Sequence, residues 1–421
     1  MLTSKKRLLF VALILTVILA VLLSGCSLGR KELTFIFQAT TPSTLDPYWN
    51  QVVADYEAQN PSVHINYISL TWDQGPAKIY DLVKQGHPPS IARITTRSLP
   101  GYVADGLVEP LDDYMTPGFK AQFVPSLINE GAQYQGRTFG LPIAVSVRAL
   151  YYNKDLFERA GITTPPVTWD DLRADAIKVS QLSPDIRGFG IQGKTQETST
   201  YFYYFLWGNG GEVLSADGTR ATFNSAQGVE ALNFLQGLVD AKATNPDPSK
   251  DARVDLENDF VAGKYGMIIS LNSLATRLDK EAKFKYGVTA LPYKTKPTTF
   301  AVEDTLILFK PADNKDLAWQ FIQFIYQDKY RLDYDVRTTG VPEKLTVAAD
   351  PKFSSNPLAV SFQNNLRVAR FEPVNTRSQN IADTLTAELA SVYTRAKTPK
   401  AGLDSAASKV NSLLGYSATA W

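Results

Sequence analysis

The sequence predicts an α/β protein built from two domains, each assembled from separate stretches of chain. Three observations carry that expectation. Hydrophobic strands alternate with amphipathic helices at short spacing, the arrangement that yields parallel pairing and a ligand-facing edge at strand C-termini. The 421 residues exceed what one hydrophobic core usually organises. Glycine and proline are scattered rather than pooled, so no single long linker is expected and the chain should cross between domains several times.

Along the chain, LTFIF at 33–37 reads as a buried strand, and QATTPSTLD behind it is a loop of turn formers and caps. Trp49, Val52, Val53 and Tyr56 follow at helical spacing, and the alternation Val63, Ile65, Tyr67 marks a second strand. PPSIARITT at 88–96 predicts a third strand after a proline-rich turn, then a helix ending near Asp105 and Gly106. TWDDL at 168–172 has the form of a capping box, with Thr168 as N-cap and Asp171 three residues on. Leu317, Phe321, Phe324 and Ile325 predict a further amphipathic helix, and Leu403, Ala406, Ala407 and Val410 predict the last one.

The N-terminus carries an address. Lys5, Lys6 and Arg7 precede an apolar run from Leu8 to Leu23, followed by small Ser24 and Gly25, the layout of a secretory signal. Leu23-Ser24-Gly25-Cys26 resembles the bacterial lipobox. That resemblance implies a signal peptide over 1–25, diacylglycerol on the Cys26 thiol, and a polar tether over 26–31. The protein is then expected on a cell membrane, lipid-anchored and facing away from the cytoplasm. Cys26 is the only cysteine, so stability there does not come from disulfides.

Composition excludes several functions. Loss of residues 1–25 removes three basic side chains and no acidic one, leaving a near-neutral chain without the footprint of a nucleic-acid binder. Two histidines, His64 and His87, offer no metal pair, and no cofactor is expected. GFGIQG at 188–193 spells the dinucleotide fingerprint, but Phe189 to Ile191 read as the strand itself, with no hydrophobic strand just before them. Aromatics make up 11% of the chain, with 20 tyrosines and 6 tryptophans; such rings build cores first and also suit sugar-facing clefts.

LPIAVSVRALYYNKDLFERAG at 141–161, followed by P-V-T-W-D-D-L at 166–172, resembles the extracellular solute-binding proteins of ABC importers, and more closely the carbohydrate-binding branch that includes maltose-binding protein. VADYEAQNPSVHINY (53–67), WGNGGEVL (207–214), FVAGKYGMIIS (260–270), YGVTALP (286–292), NKDLAWQFIQFI (314–325), GVPEK (340–344) and TPKAGLDSAASKVN (398–411) agree in order, so the similarity spans about residues 32–415. It implies the two-lobed periplasmic-binding-protein fold with a hinged ligand cleft. Lobe one would hold 32–145 with 290–340, and lobe two 146–289 with 341–421. The implied job is to capture a sugar or related polyol and deliver it to the transmembrane subunits of a permease, as a monomer and without catalysis.

Loops at strand ends should line that cleft. The candidates are Thr40 and Thr41 after the first strand, Trp72 and Asp73 after the second, and Thr96 and Arg97 after the third. The resemblance places Ser146 at a polar hinge position, with Arg148 as a second polar group, and brings Thr200 and Tyr201 near the family's ligand loop. Phe202, Phe205 and Trp207 read instead as core. Asn272 and Ser273 stand where maltose-type proteins carry a stacking tryptophan, and Arg97 lacks the family's neighbouring carboxylate; both departures point away from long maltodextrins. Glu303 and Asp304 in the return crossing, and Arg370 in the closing segment, complete the set. The arginines keep polyol phosphates open as ligands. Two alternatives use the same residues differently: a surface-anchored glycoside hydrolase, which needs two carboxylates across a sugar site, and a solute sensor.

Overall fold

The computed structural model describes residues 30–415 apart from Thr40, Thr41, Ala132, Gln196, Val374 and Thr376. Cys26, Thr40 and Thr41 therefore lie outside the described residues. In chain order the first elements are β1 Lys31–Ala39, α1 Asp46–Gln59, β2 Val63–Thr71, α2 Gly75–Lys84, β3 Ile91–Thr95, β4 Gly140–Asn153, α3 Trp169–Ser180 and β5 Arg187–Gly190. The later ones are α4 Glu197–Gly208, β6 Tyr265–Leu271, β7 Tyr286–Thr289, β8 Thr299–Leu308, α5 Lys315–Ile325, β9 Ala369–Arg370, α6 Ser378–Tyr393 and α7 Pro399–Leu413. The expected strands and helices are all present, and the class is α/β.

The described chain divides into two compact units, one reaching to Ala92 and including Phe309–Ile325, the other holding Arg93–Leu308 and the chain from Tyr326. In the first, β1 pairs in parallel with β2 along its whole length, Lys31 opposite Val63 to Ala39 opposite Thr71. On its other edge Phe35 and Ile36 pair with Ile91 and Ala92. Parallel strands are buried on both faces, and the run from Phe35 to Ala39 is accordingly buried without interruption. Phe35 meets Trp49 edge-on at 5.2 Å and Phe321 at 5.7 Å, so α1 and α5 close over one aromatic cluster with β1. That cluster explains the helical spacing of Trp49, Val52 and Tyr56.

The second unit is organised by β4, a 14-residue strand that is buried over nearly all its length. Its first half runs antiparallel to β8, from Gly140 opposite Ile307 to Val147 opposite Ala301, with an irregularity between Asp304 and Thr305. Its second half runs antiparallel to β6, Arg148 opposite Leu271 and Tyr152 opposite Met267, and also pairs with β7. β5 adds to β6 in parallel, and β9 adds to β8 in parallel through Thr299–Ala369 and Phe300–Arg370. One strand thus changes partners midway, and the residues at the change, Ser146 to Arg148, sit at the join.

Helices cover these strands. The capping box holds: the Thr168 hydroxyl accepts from the Asp171 amide at 3.1 Å, and the Asp171 carboxylate accepts from the Thr168 amide at 2.9 Å. α3 then lays Trp169 against Phe234, stacked at 4.8 Å. Along α4 every residue from Thr198 to Gly208 is buried, which is why it reads as aromatic on all sides.

α6 and α7 are stapled by Glu388, which is 4% exposed and accepts from Lys397 at 2.6 Å, Lys409 at 2.7 Å and Ser405 at 2.9 Å. Burial pushes this carboxyl up, but the hydrogen bonds from the two lysines and the serine outweigh it and hold it at about 2, below the ordinary 4.5. A depressed carboxyl stabilises the fold above its unfolded-state value and loses that contribution as pH falls toward the folded one. The difference in unfolding free energy between wild type and Glu388→Gln, measured by urea titration, is expected to be constant above about pH 5 and to vanish between about pH 4.5 and 2. A pH-independent difference would show that the lysines do not stabilise the ionised form.

Candidate functional site

Within the second unit a cavity of about 350 Å³ opens where several chain segments end together. The end of β3 brings Thr95, with Thr96 and Arg97 in the turn after it. β4 contributes Arg148, β8 contributes Phe300, Ala301 and Val302, and the first turn of α4 contributes Glu197 and Thr200. The segment after β9 supplies Phe371, Glu372 and Pro373, and α6 begins at Ser378 on the same wall.

Local bonds fix these groups. Thr96 donates from both its amide (3.2 Å) and its hydroxyl (3.1 Å) to the Glu303 carbonyl, which anchors the β3 turn to β8. Arg97 donates to one Glu372 oxygen from Nε at 2.9 Å and Nη2 at 2.7 Å, and its Nη1 reaches Gln379 at 3.4 Å. Burial lifts the Glu372 carboxyl, and the Arg97 charge and hydrogen bonds partly offset that. Glu197 accepts from Arg253 Nε at 2.9 Å. Arg148 is 4% exposed; its Nε donates to the Tyr204 hydroxyl at 3.2 Å and its guanidinium lies 5.8 Å from the Phe300 ring centre. Phe300 in turn stacks on Trp207 at 6.1 Å. Two aromatic side chains, Phe300 and Phe371, thus line the cavity among charged and hydroxyl groups.

Of the expected site residues, Thr96, Arg97 and Thr200 line this cavity, as does Arg148. Ser146 is half-buried on β4 opposite Val302, on the same face as Arg148 by strand alternation. The others are placed elsewhere. Tyr201 is buried in the core and donates to the Gly190 carbonyl at 2.6 Å. Arg370 forks onto Glu212 at 2.9 and 2.7 Å and lies over the Trp207 ring at 4.8 Å. Trp72 is half-buried and Asp73 exposed at the end of β2 in the first unit. Asn272 lines a separate cavity of about 250 Å³, bonding the Val147 amide and the Thr339 carbonyl, and Ser273 beside it is exposed.

The acidic pair Glu303 and Asp304 also turns away. Asp304 accepts from Arg93 at 2.5 Å. Glu303 is fully buried and neither of its oxygens has a hydrogen-bond partner among the described residues. Burial, with Asp304 and Glu343 nearby, lifts its carboxyl well above the usual range. Among the described residues no group of three or more His, Cys, Asp or Glu is arranged to hold a metal ion.

Glu197, Phe300, Phe371, Glu372 and Ser378 were not singled out from the sequence. Glu372 lies 275 residues from Arg97, and no local pattern announces the pair. It supplies the carboxylate partner that the neighbourhood of Arg97 in sequence lacks.

Comparison with known proteins gives four findings. The family model of the bacterial extracellular solute-binding proteins matches residues 41–331. A binding protein of Brucella abortus is 35% identical over 398 residues, covering 93% of this chain and 95% of that protein. The sn-glycerol-3-phosphate-binding periplasmic protein of Shigella dysenteriae is 24% identical, covering 88% and 92%. Among solved structures, the cyclic alpha-maltosyl-1,6-maltose binding protein from Arthrobacter globiformis superimposes with a TM-score of 0.83 at 21% identity, over 92% of this chain and 99% of that one.

Proposed function

Since the chain belongs to the bacterial extracellular solute-binding proteins, we propose that it is the substrate-binding subunit of an ABC importer and that its solute is a sugar or related polyol held in the 350 Å³ cavity. One observation carries this reading: Phe300 and Phe371 line a single cavity together with arginine, carboxylate and hydroxyl groups. A polyhydroxylated ring presents the same two surfaces, a C–H face and a rim of hydroxyl pairs. Capture by closure of two lobes, 32–145 with 290–340 against 146–289 with 341–421, belongs to the same reading. So does a lipid anchor at Cys26, which would hold the protein outside the cytoplasm beside its permease.

Binding without bond cleavage is the better fit to the cavity. A glycoside hydrolase needs one carboxyl to deliver a proton and a second to attack or to activate water. The two carboxylates of the cavity, Glu197 and Glu372, are each held by an arginine. The expected result is a rise in melting temperature with one or a few members of a panel of sugars, polyols and their phosphates, and no reducing ends released from oligosaccharides. Stabilisation by amino acids or peptides alone would overturn the solute class, and released reducing ends would overturn the role.

A further inference from the structure

We propose that the solute carries an acidic group, a phosphate or a carboxylate, and that Arg148 is the cation that receives it. The inference rests on the solute-binding reading above and narrows the ligand class.

Arg148 is buried yet has no carboxylate partner among the described residues; Nε bonds a neutral hydroxyl and the buried Nη1 bonds nothing. Arginine carries its charge under all physiological conditions, and a buried charge without a counter-ion is strongly disfavoured. Neither carboxylate on the cavity wall pairs with Arg148: Glu372 is engaged by Arg97 and Glu197 by Arg253. The missing partner therefore comes from outside the chain, through the cavity that Arg148 lines.

The backbone points the same way. Two long helices begin on the cavity wall: α4, with Glu197 and Thr200 in its first turn, and α6, at Ser378. A helix N-terminus presents backbone N–H groups and a partial positive charge, and favours anions. The Thr200 hydroxyl lies beside the same space, whereas the Ser378 hydroxyl is spent on the Pro373 and Asn375 carbonyls. A planar guanidinium suits both a carboxylate and a phosphate by a two-point contact, so the two share one recognition chemistry and binding must separate them.

The test uses the mature chain, with calorimetry and thermal shift, on matched pairs: glucose with glucose 6-phosphate and with glucuronate, glycerol with glycerol 3-phosphate, and inorganic phosphate alone against chloride at equal ionic strength. The expected result is that inorganic phosphate or an acidic member stabilises the protein and binds at least about tenfold more tightly than its neutral partner. Arg148→Gln should erase that preference and leave the ligand-free melting temperature at or above the wild-type value. The phosphate and glucuronate arms identify which acid is read. Neutral members binding as tightly as acidic ones, or a preference that survives Arg148→Gln, would overturn the inference while leaving the solute-binding role intact. A large fall in the ligand-free melting temperature of Arg148→Gln would assign Arg148 to the scaffold and also overturn it. Failure of every sugar, polyol and anion to bind would instead remove the solute class itself.

Discussion

Glu343→Ala is expected to lower the free energy of unfolding by about 3–5 kcal/mol, the range for removing one partner of a buried ion pair. Arg331 and Glu343 are both 0% exposed, and the pair is a fork: Nε to one carboxylate oxygen at 2.6 Å and Nη2 to the other at 2.9 Å. Arg331 also bonds the Ile143 carbonyl at 2.7 Å and Asp335 at 3.2 Å, so this one guanidinium links α-helical chain after α5 to β4. Without Glu343 the arginine loses its bidentate counter-charge in a place water does not reach. The double variant Arg331→Met with Glu343→Leu should recover part of the loss, because apolar side chains of similar volume need no counter-charge, while buried Asp335 is left without its arginine. Urea unfolding of the single and double variants is the measurement. A single-variant loss below about 1 kcal/mol, the level of an exposed pair, would mean that the site is wet.

Gly188→Ala is expected to cost about 3 kcal/mol, the upper part of the range for overpacking. A Cβ at this position would lie 1.9 Å from the Ala176 carbonyl oxygen, a backbone atom of α3. Neither strand nor helix backbone is able to yield as a flexible side chain does, so β5 and α3 must separate. Gly101→Ala is the matched control. Nothing lies within 4 Å of a Cβ there, and the residue sits inside a short helix, Leu99–Ala104, where alanine is favoured over glycine by about 0.5–1 kcal/mol. Thermal unfolding of both variants checks the contrast. Equal melting temperatures would show that the close crossing of α3 over β5 is not tight.

That glycine also settles the meaning of GFGIQG. Gly188 and Gly190 lie in β5, and Gly188 is there because α3 crosses at backbone distance, not to let a pyrophosphate approach. The letters match a phosphate-binding turn, but its first two glycines lie within the strand and the next helix opens only at Glu197, past the motif.

The local elements were legible because their causes are local. Alternation at Val63, Ile65 and Tyr67, helical spacing at Trp49, Val52 and Tyr56, and the Thr168–Asp171 capping box each depend on residues within a few positions of one another, and each corresponds to an element in the structure. The phrase around Ser146 was legible as special, and it proves to be the point where β4 exchanges β8 for β6. The turn after β3 was also readable, since Thr96 and Arg97 directly follow a predicted strand end.

The cavity was less legible. Arg148 and Glu197 stand 49 positions apart in the numbering, and Phe300 and Glu372 come from later crossings, yet all four share one wall. Glu303 and Asp304 looked like a cleft-facing acidic pair, whereas the register of β8 against β4 buries one and gives the other to Arg93. Side-chain direction in a strand follows from pairing register, and pairing register is a long-range property. Short-range pattern therefore determined the α/β class, the caps, the helices and the family, because hydrophobic period and turn chemistry act over a few residues. Which charges meet, which are buried, and that Arg148 has no carboxylate partner among the described residues depended on segments brought together by sheet topology, whose spacing along the chain carries no trace of their contact.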